Sequence, residues 1–153
     1  MTEFLFSIVF LVGAAPFWAL MILLPHWTWT KRIARSPWIV VVPVLIYLVL
    51  VAGAIGDVLP AVTRPTLPGV RELLGTDVGA AAGWAHFIAF DLFTGRWAYL
   101  DSRERDVPAL LMAPILVLTI LLGPLGLLAY LLVRTRFAPV PQAVRGTARE
   151  TVG

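Results

Sequence analysis

The sequence has no cysteine and only two histidines, His26 and His86. Disulfides, thiolate metal centres and iron–sulfur clusters are therefore excluded, and so is a histidine-rich metal site. Charge is scarce too. Charged residues make up 14% of the chain and hydrophobic ones 59%, against about 25% and about 45–50% in soluble domains. The net charge of +3 is modest. The basic residues sit in connections and in the C-terminal tail, without the basic-aromatic surface that binds nucleic acid. The opening Met1-Thr2-Glu3 lacks the positive region of a secretory signal, and the apolar run behind it is longer than a signal core. Neither end carries a lipidation motif.

The apolar residues gather into runs near the length that spans a bilayer core, over about 4–24, 37–58, 79–99 and 108–133. The expectation is an all-α polytopic membrane protein, four transmembrane helices in an antiparallel bundle forming one domain over 1–133. A basic tail, 134–153, holds few large apolar residues and reads as disordered. The setting expected is an integral membrane position in a bacterial inner (cytoplasmic) membrane, with membrane lipid as the constant partner. A second copy of the chain or a partner membrane enzyme is a further candidate.

Punctuation within the runs is informative. Pro16 lies mid-run and predicts a kink. Trp27 and Trp29 follow Pro25 at the depth of an aromatic belt. Lys31, Arg32 and Arg35 read as a topology signal. Pro43 suits the first turn of the second helix, and Gly53 and Gly56 are small enough to let a neighbouring helix approach. Residues 59–78, with Pro60, Pro65 and Pro68, read as the longest connection, ended by a cap at Thr76 or Asp77. Gly123-Pro124-Leu125-Gly126 breaks the last run. With four crossings, Arg64, Arg71, Arg134, Arg136, Arg145 and Arg149 share one side, and Lys31, Arg32, Arg35, Arg96, Arg103 and Arg105 the other. That tie leaves only the compact early cluster to favour a cytoplasmic first loop.

The third run is different. It carries His86, Asp91 and Arg96, with Asp101 just beyond. A carboxylate at membrane depth costs roughly 2.5–3.5 kcal/mol on insertion scales and marks a functional site by default. At about 100° per residue, Trp84 lies about 20° from Asp91, whereas His86 and Arg96 each lie about 140° away on opposite sides. A straight helix would therefore keep Asp91 from meeting either. Unwinding at Thr94-Gly95 is the alternative, since glycine permits it. The bland reading is a buried polar network that fixes helix packing or docks a partner. An ion pathway is weaker still, because no internal repeat is visible.

The pattern Trp84-x-His86-x-x-x-x-Asp91-Leu92-Phe93-x-x-Arg96-x-x-x-x-Asp101 resembles that of the neoxanthin synthase family, small plastid membrane proteins of plants with bacterial relatives. Pro16-Phe17, Met21, Pro25, Thr30-Lys31 and Pro124-x-Gly126 extend the resemblance over about residues 5–132. For the plant members it implies four helices and isomerisation of violaxanthin to neoxanthin, in which an epoxide opens and a polyene proton leaves to give an allene. No redox cofactor or metal is needed. Carried onto this chain, the resemblance implies Asp91 or Asp101 as the acid, His86 as the base and Arg96 as the group that stabilises an alkoxide or holds a carboxylate. Trp84, Phe87, Phe90, Phe93 and Trp97 would line a slot for a carotenoid or related isoprenoid ligand. The same chain lacks a plastid-type transit segment, so violaxanthin itself need not be the substrate.

Overall fold

Helix formation is decided first in residues 77–104. Thr76 Oγ accepts from the Gly79 amide at 3.0 Å, a side-chain cap, and Asp77 in the first turn suits the positive end of the helix dipole. In the computed structural model, which describes residues 1–138, the helix that follows is the longest element, Asp77–Glu104 (α7), roughly 42 Å from end to end. Its buried face is mostly small, with Ala81, Ala82, Ala85, Ala98 and Ser102, so neighbouring helices can approach its backbone. It does not unwind at Gly95. An added Cβ there would lie 2.1 Å from the buried Trp18 ring, so that glycine makes room for an indole rather than for a bend.

The other helices, α5 (Ile55–Thr63) apart, pack around α7. α1 (Thr2–Leu11) and α2 (Ala15–Leu23) form one apolar stretch, with Pro16 in the first turn of α2, where its missing N–H costs little. The Leu24 and Pro25 carbonyls left at its end accept from Thr30 Oγ and from the Tyr99 hydroxyl, each at 2.8 Å. α3 (Thr28–Arg35) crosses that end and is bent 74° from the next stretch, a 3-10 turn (Pro37–Val40) leading into α4 (Val41–Gly53). Arg96 of α7 donates to the Arg35 and Ser36 carbonyls at 2.9 and 3.2 Å, closing the end of α3.

Two stretches depart from expectation. The run 37–58 ends at Gly53, and the connection expected over 59–78 is largely helical, as α5 (Ile55–Thr63) and α6 (Leu67–Leu74). Its prolines fit this: Pro65 lies between the helices and Pro68 in the first turn of α6. Only Pro60 is inside a helix.

The run 108–133 divides at Leu122 (φ −146°, ψ 70°) into α8 (Ala109–Leu121) and α9 (Gly123–Arg134). Asp106, at φ 51°, turns the chain back after α7. α8 leads away from that turn, and at its far end Gly123 lies against Asp91. α9 then returns, so that Tyr130 and Arg134 reach Asp101. α8 is therefore antiparallel to α7 and α9 parallel to it. The two make a helical hairpin, and α9 ends beside Asp101.

All the described elements are helical. By length and composition one stretch, Thr2–Leu23, can cross a membrane, and the bent pair from Thr28 to Gly53 would be a second. Of the basic tail expected from residue 134, Arg134 belongs to α9 and residues 139–153 lie outside the described part.

Candidate functional site on the central helix

Asp91 is half-buried at the middle of α7. Its carboxylate fills the space in front of the α8–α9 turn: an added Cβ on Gly123 would lie 1.9 Å from Asp91 Oδ1. α9 has no side-chain cap of its own, so the carboxylate stands at the positive end of its dipole. Among the described residues no side chain donates to Asp91. Trp84 and Phe87 lie within about 40° of it around the helix. Both are partly exposed, Trp84 resting against Phe6 with ring centroids 5.7 Å apart.

His86 is exposed on a different face, stacked on Phe90 at 4.7 Å and near Tyr47 at 5.6 Å. Phe93 is exposed beneath the Arg96 guanidinium at 5.9 Å. Arg96 is occupied with the end of α3. The expected slot is thus divided. Trp84 and Phe87 attend Asp91, while His86, Phe90, Phe93 and Trp97 lie about 100–160° away.

Asp101 anchors the densest polar contact. Its Oδ2 accepts from Arg105 Nε at 2.8 Å, from the Tyr130 hydroxyl at 2.6 Å and from Arg134 Nε at 2.7 Å, while Arg134 Nη2 reaches Oδ1 at 3.3 Å. Arg105 also donates to the Phe137 carbonyl at 2.9 Å. Trp97 meets Tyr130 edge-on at 5.4 Å and lies under Arg134 at 5.8 Å. Burial works against ionisation of Asp101, but the hydrogen bonds from Arg134, Tyr130 and Arg105 outweigh it and hold the carboxyl low, at about 2. This arrangement binds α7 to α9.

Tyr130, Arg134 and Arg105 were not visible as site residues. Tyr130 reads as a belt aromatic, Arg134 as the start of the tail and Arg105 as part of a solvated turn. The one local signal is the four-residue spacing of Asp101 and Arg105. Among the described residues no three metal-ligating side chains converge.

The model of the family described as ABA DEFICIENT 4-like matches residues 4–130. The protein ABA DEFICIENT 4, chloroplastic, of Arabidopsis thaliana is 27% identical over 110 residues, covering 66% of this chain and 50% of that protein. The chain thus spans about half the length of the curated relative it matches. No solved structure matches.

Proposed function

Because the chain belongs to the ABA DEFICIENT 4-like family, we propose that it is a membrane-embedded protein acting on a carotenoid or related isoprenoid lipid, with Asp91 as its acid/base group. The observation that carries this reading is a carboxyl group at mid-helix with no side-chain donor among the described residues, pressed against a glycine at the turn of a helical hairpin. Irregular backbone at membrane depth persists only where protein or a wet cavity lines it.

The membrane part is supported by where the apolar residues lie. Only 28% of the most apolar window of Thr2–Leu23 is buried within the protein, whereas a core helix of a soluble protein would be mostly buried. Leu11, Leu23, Leu48, Leu121 and Leu132 are more than half exposed, an apolar surface beyond what soluble monomers tolerate. The arrangement proposed has three crossings, Thr2–Leu23, Pro37–Gly53 and residues 79–99 of α7, which leaves Asp101 outside the apolar layer, and a re-entrant α8–α9 hairpin. It resolves the charge tie. Lys31, Arg32, Arg35, Arg96, Arg103, Arg105, Arg134 and Arg136 then share one end, and Arg64 and Arg71 the other. Eight against two among the described residues orients the first loop to the cytoplasmic side or its equivalent.

The native absence of cysteine makes this testable. Single cysteines at Leu67 and Thr135, both exposed, are expected to react with an impermeant maleimide from opposite sides. Labelling from the same side would restore four crossings and remove the hairpin.

The chemistry fits one carboxyl. Asp91 gives its proton to the epoxide oxygen as the C–O bond breaks. The carboxylate so formed takes the proton from the adjacent polyene carbon as the allene forms, and the starting acid is regenerated with no change in oxidation state. Trp84 and Phe87 would flank the polyene. His86 sits too far around α7 to share the task in this geometry, and Arg96 and Asp101 serve packing. Those last two contacts favour the non-catalytic alternative for that end of the helix, where the network fixes helix packing or docks a partner.

Cells supplied with a cyclic carotenoid epoxide decide between the readings. Asp91→Asn is expected to lower product at least about 100-fold, the usual worth of general acid–base catalysis, at unchanged protein level. An unchanged pigment profile with lost protein accumulation would make Asp91 structural.

A further inference from the structure

At the end of the molecule away from Asp101, α5, α6 and the start of α7 border an open cleft of about 750 Å³, a volume usual for small-molecule sites. Of the two helices that wall it, α5 is amphipathic in the reverse of the soluble sense. On α5 the cleft face carries Asp57, Ala61 and Arg64, spaced four and three residues apart on one stripe. On α6 it carries Gly69 and Glu72. The opposite face of α5 presents Ile55, Leu59 and Val62, all more than half exposed, while the outer face of α6 pairs Leu67 with Arg71. A surface helix in water turns its apolar stripe inward. One that turns its charges toward a cleft and its aliphatic side chains outward, as α5 does, suits a polar recess beside an apolar surround.

The glycines agree. Gly53 and Gly56 border the cleft, and an added Cβ at either would meet nothing within 4 Å. Among the described residues no helix occupies the space beside them. Neither α5 nor α6 contains a buried residue. Among the described residues, Asp57, Arg64 and Glu72 form no ion pair and no side-chain hydrogen bond, so their polar atoms are available to an occupant.

We propose that this cleft holds the neutral, hydroxyl-bearing end group of a membrane-dissolved lipid. Two carboxylates accept hydrogen bonds from hydroxyls and one guanidinium donates to them. The surplus of negative charge disfavours phosphate and carboxylate headgroups. Glycine, alanine and proline walls leave room for a flat ring. Such an end group occurs on glycosyl diacylglycerols and on hydroxylated cyclic polyenes. The proposal rests on the membrane reading above, and in the polyene case on the isoprenoid one.

The test uses the full chain in detergent, titrated by native mass spectrometry with three probes: monoglucosyl diacylglycerol, a dihydroxylated cyclic C40 polyene and phosphatidylglycerol. At least one neutral probe is expected to bind, and which of them does identifies the source. Filling the cleft with Gly53→Leu and Gly56→Leu is expected to weaken that binding at least tenfold. The near-isosteric pair Asp57→Asn and Glu72→Gln is expected to weaken it severalfold, and it decides the matter if the filled variant does not fold. Phosphatidylglycerol should adhere equally to all forms. The proposal falls if neither neutral probe binds, if filling leaves affinity unchanged, or if phosphatidylglycerol binding drops in parallel. Lost neutral-lipid selectivity with an intact Asp91 product assay overturns the cleft alone. Intact cleft binding with product retained in Asp91→Asn overturns the acid/base reading alone.

Discussion

Replacing Asp101 by Asn is expected to destabilise the protein by about 2–4 kcal/mol, below the roughly 3–5 kcal/mol lost when one partner of a fully buried pair is removed, because Arg134 is 37% exposed. The side chain is 14% exposed, and its Oδ2 alone accepts from two guanidiniums and a phenol. The amide keeps the shape of the carboxylate but removes the charge and turns one acceptor into a donor. Arg105 and Arg134 would then face each other without the anion between them. The cost falls on the α7–α9 contact, so thermal unfolding followed through Trp97, which touches Tyr130, should register it directly. A loss below about 0.5 kcal/mol would mean that the cluster is a surface ornament.

The pH dependence has a definite sign. Burial raises the Asp101 pKa, but the hydrogen bonds from Arg134, Tyr130 and Arg105 win and lower it from 3.8 to about 2. A carboxyl whose folded pKa lies below its unfolded one stabilises fully above the unfolded value and loses that stabilisation as pH falls through the folded one. The wild-type melting temperature should thus decline between about pH 4 and pH 2 through this group, and the Asn variant should lack that component of the decline.

The helices were legible where periodicity and capping acted locally. Thr76 and Asp77 announce the start of α7, and Pro43 falls in the first turn of α4 as its chemistry requires. What escaped were the two places where length misleads. Prolines in 59–78 read as a loop, although proline in a first turn starts a helix. An apolar run over 108–133 reads as one crossing, because hydropathy counts residues and does not distinguish one long helix from two short ones folded together. Gly123-Pro124 marked the break, but only the contacts of its two flanks, Gly123 with Asp91 and Arg134 with Asp101, reveal the reversal.

The candidate site followed the same rule. Helical angles alone separate Asp91 from His86 and Arg96, and the unbroken α7 keeps them separate. Two of the three partners of Asp101 come from 29 and 33 residues away, beyond the reach of any local pattern. Arg96 reads as a charge inside a span, yet its donors close a helix end some 60 residues earlier. Each polar group on α7 was visible; the group it would meet depended on the fold-back.

Gly95→Ala separates two explanations of one residue by sign. If Gly95 served as a flexible point in α7, alanine would stabilise the helix by roughly 1 kcal/mol through its better propensity. The packing predicts the reverse. The new methyl would lie 2.1 and 2.4 Å from two ring carbons of Trp18. Trp18 is 3% exposed and sits in α2, which packs against both α7 and α8, so the ring cannot swing clear without lifting α2 from α7. Overpacking of this kind costs about 1–3 kcal/mol, occasionally more, and it outweighs the gain in propensity. Gly95→Val should be worse again and should abolish accumulation. Trp18→Leu alone opens a cavity and also destabilises. In combination with Gly95→Ala the two losses should fail to add by at least about 0.5 kcal/mol, the mark of residues in contact, because each relieves the other. Thermal melts of the four forms in one detergent complete the cycle. Additive losses, or a Gly95→Ala protein more stable than wild type, would show that the indole does not rest on this glycine, and the close approach of α2 to the helix bearing Asp91 would have to be abandoned.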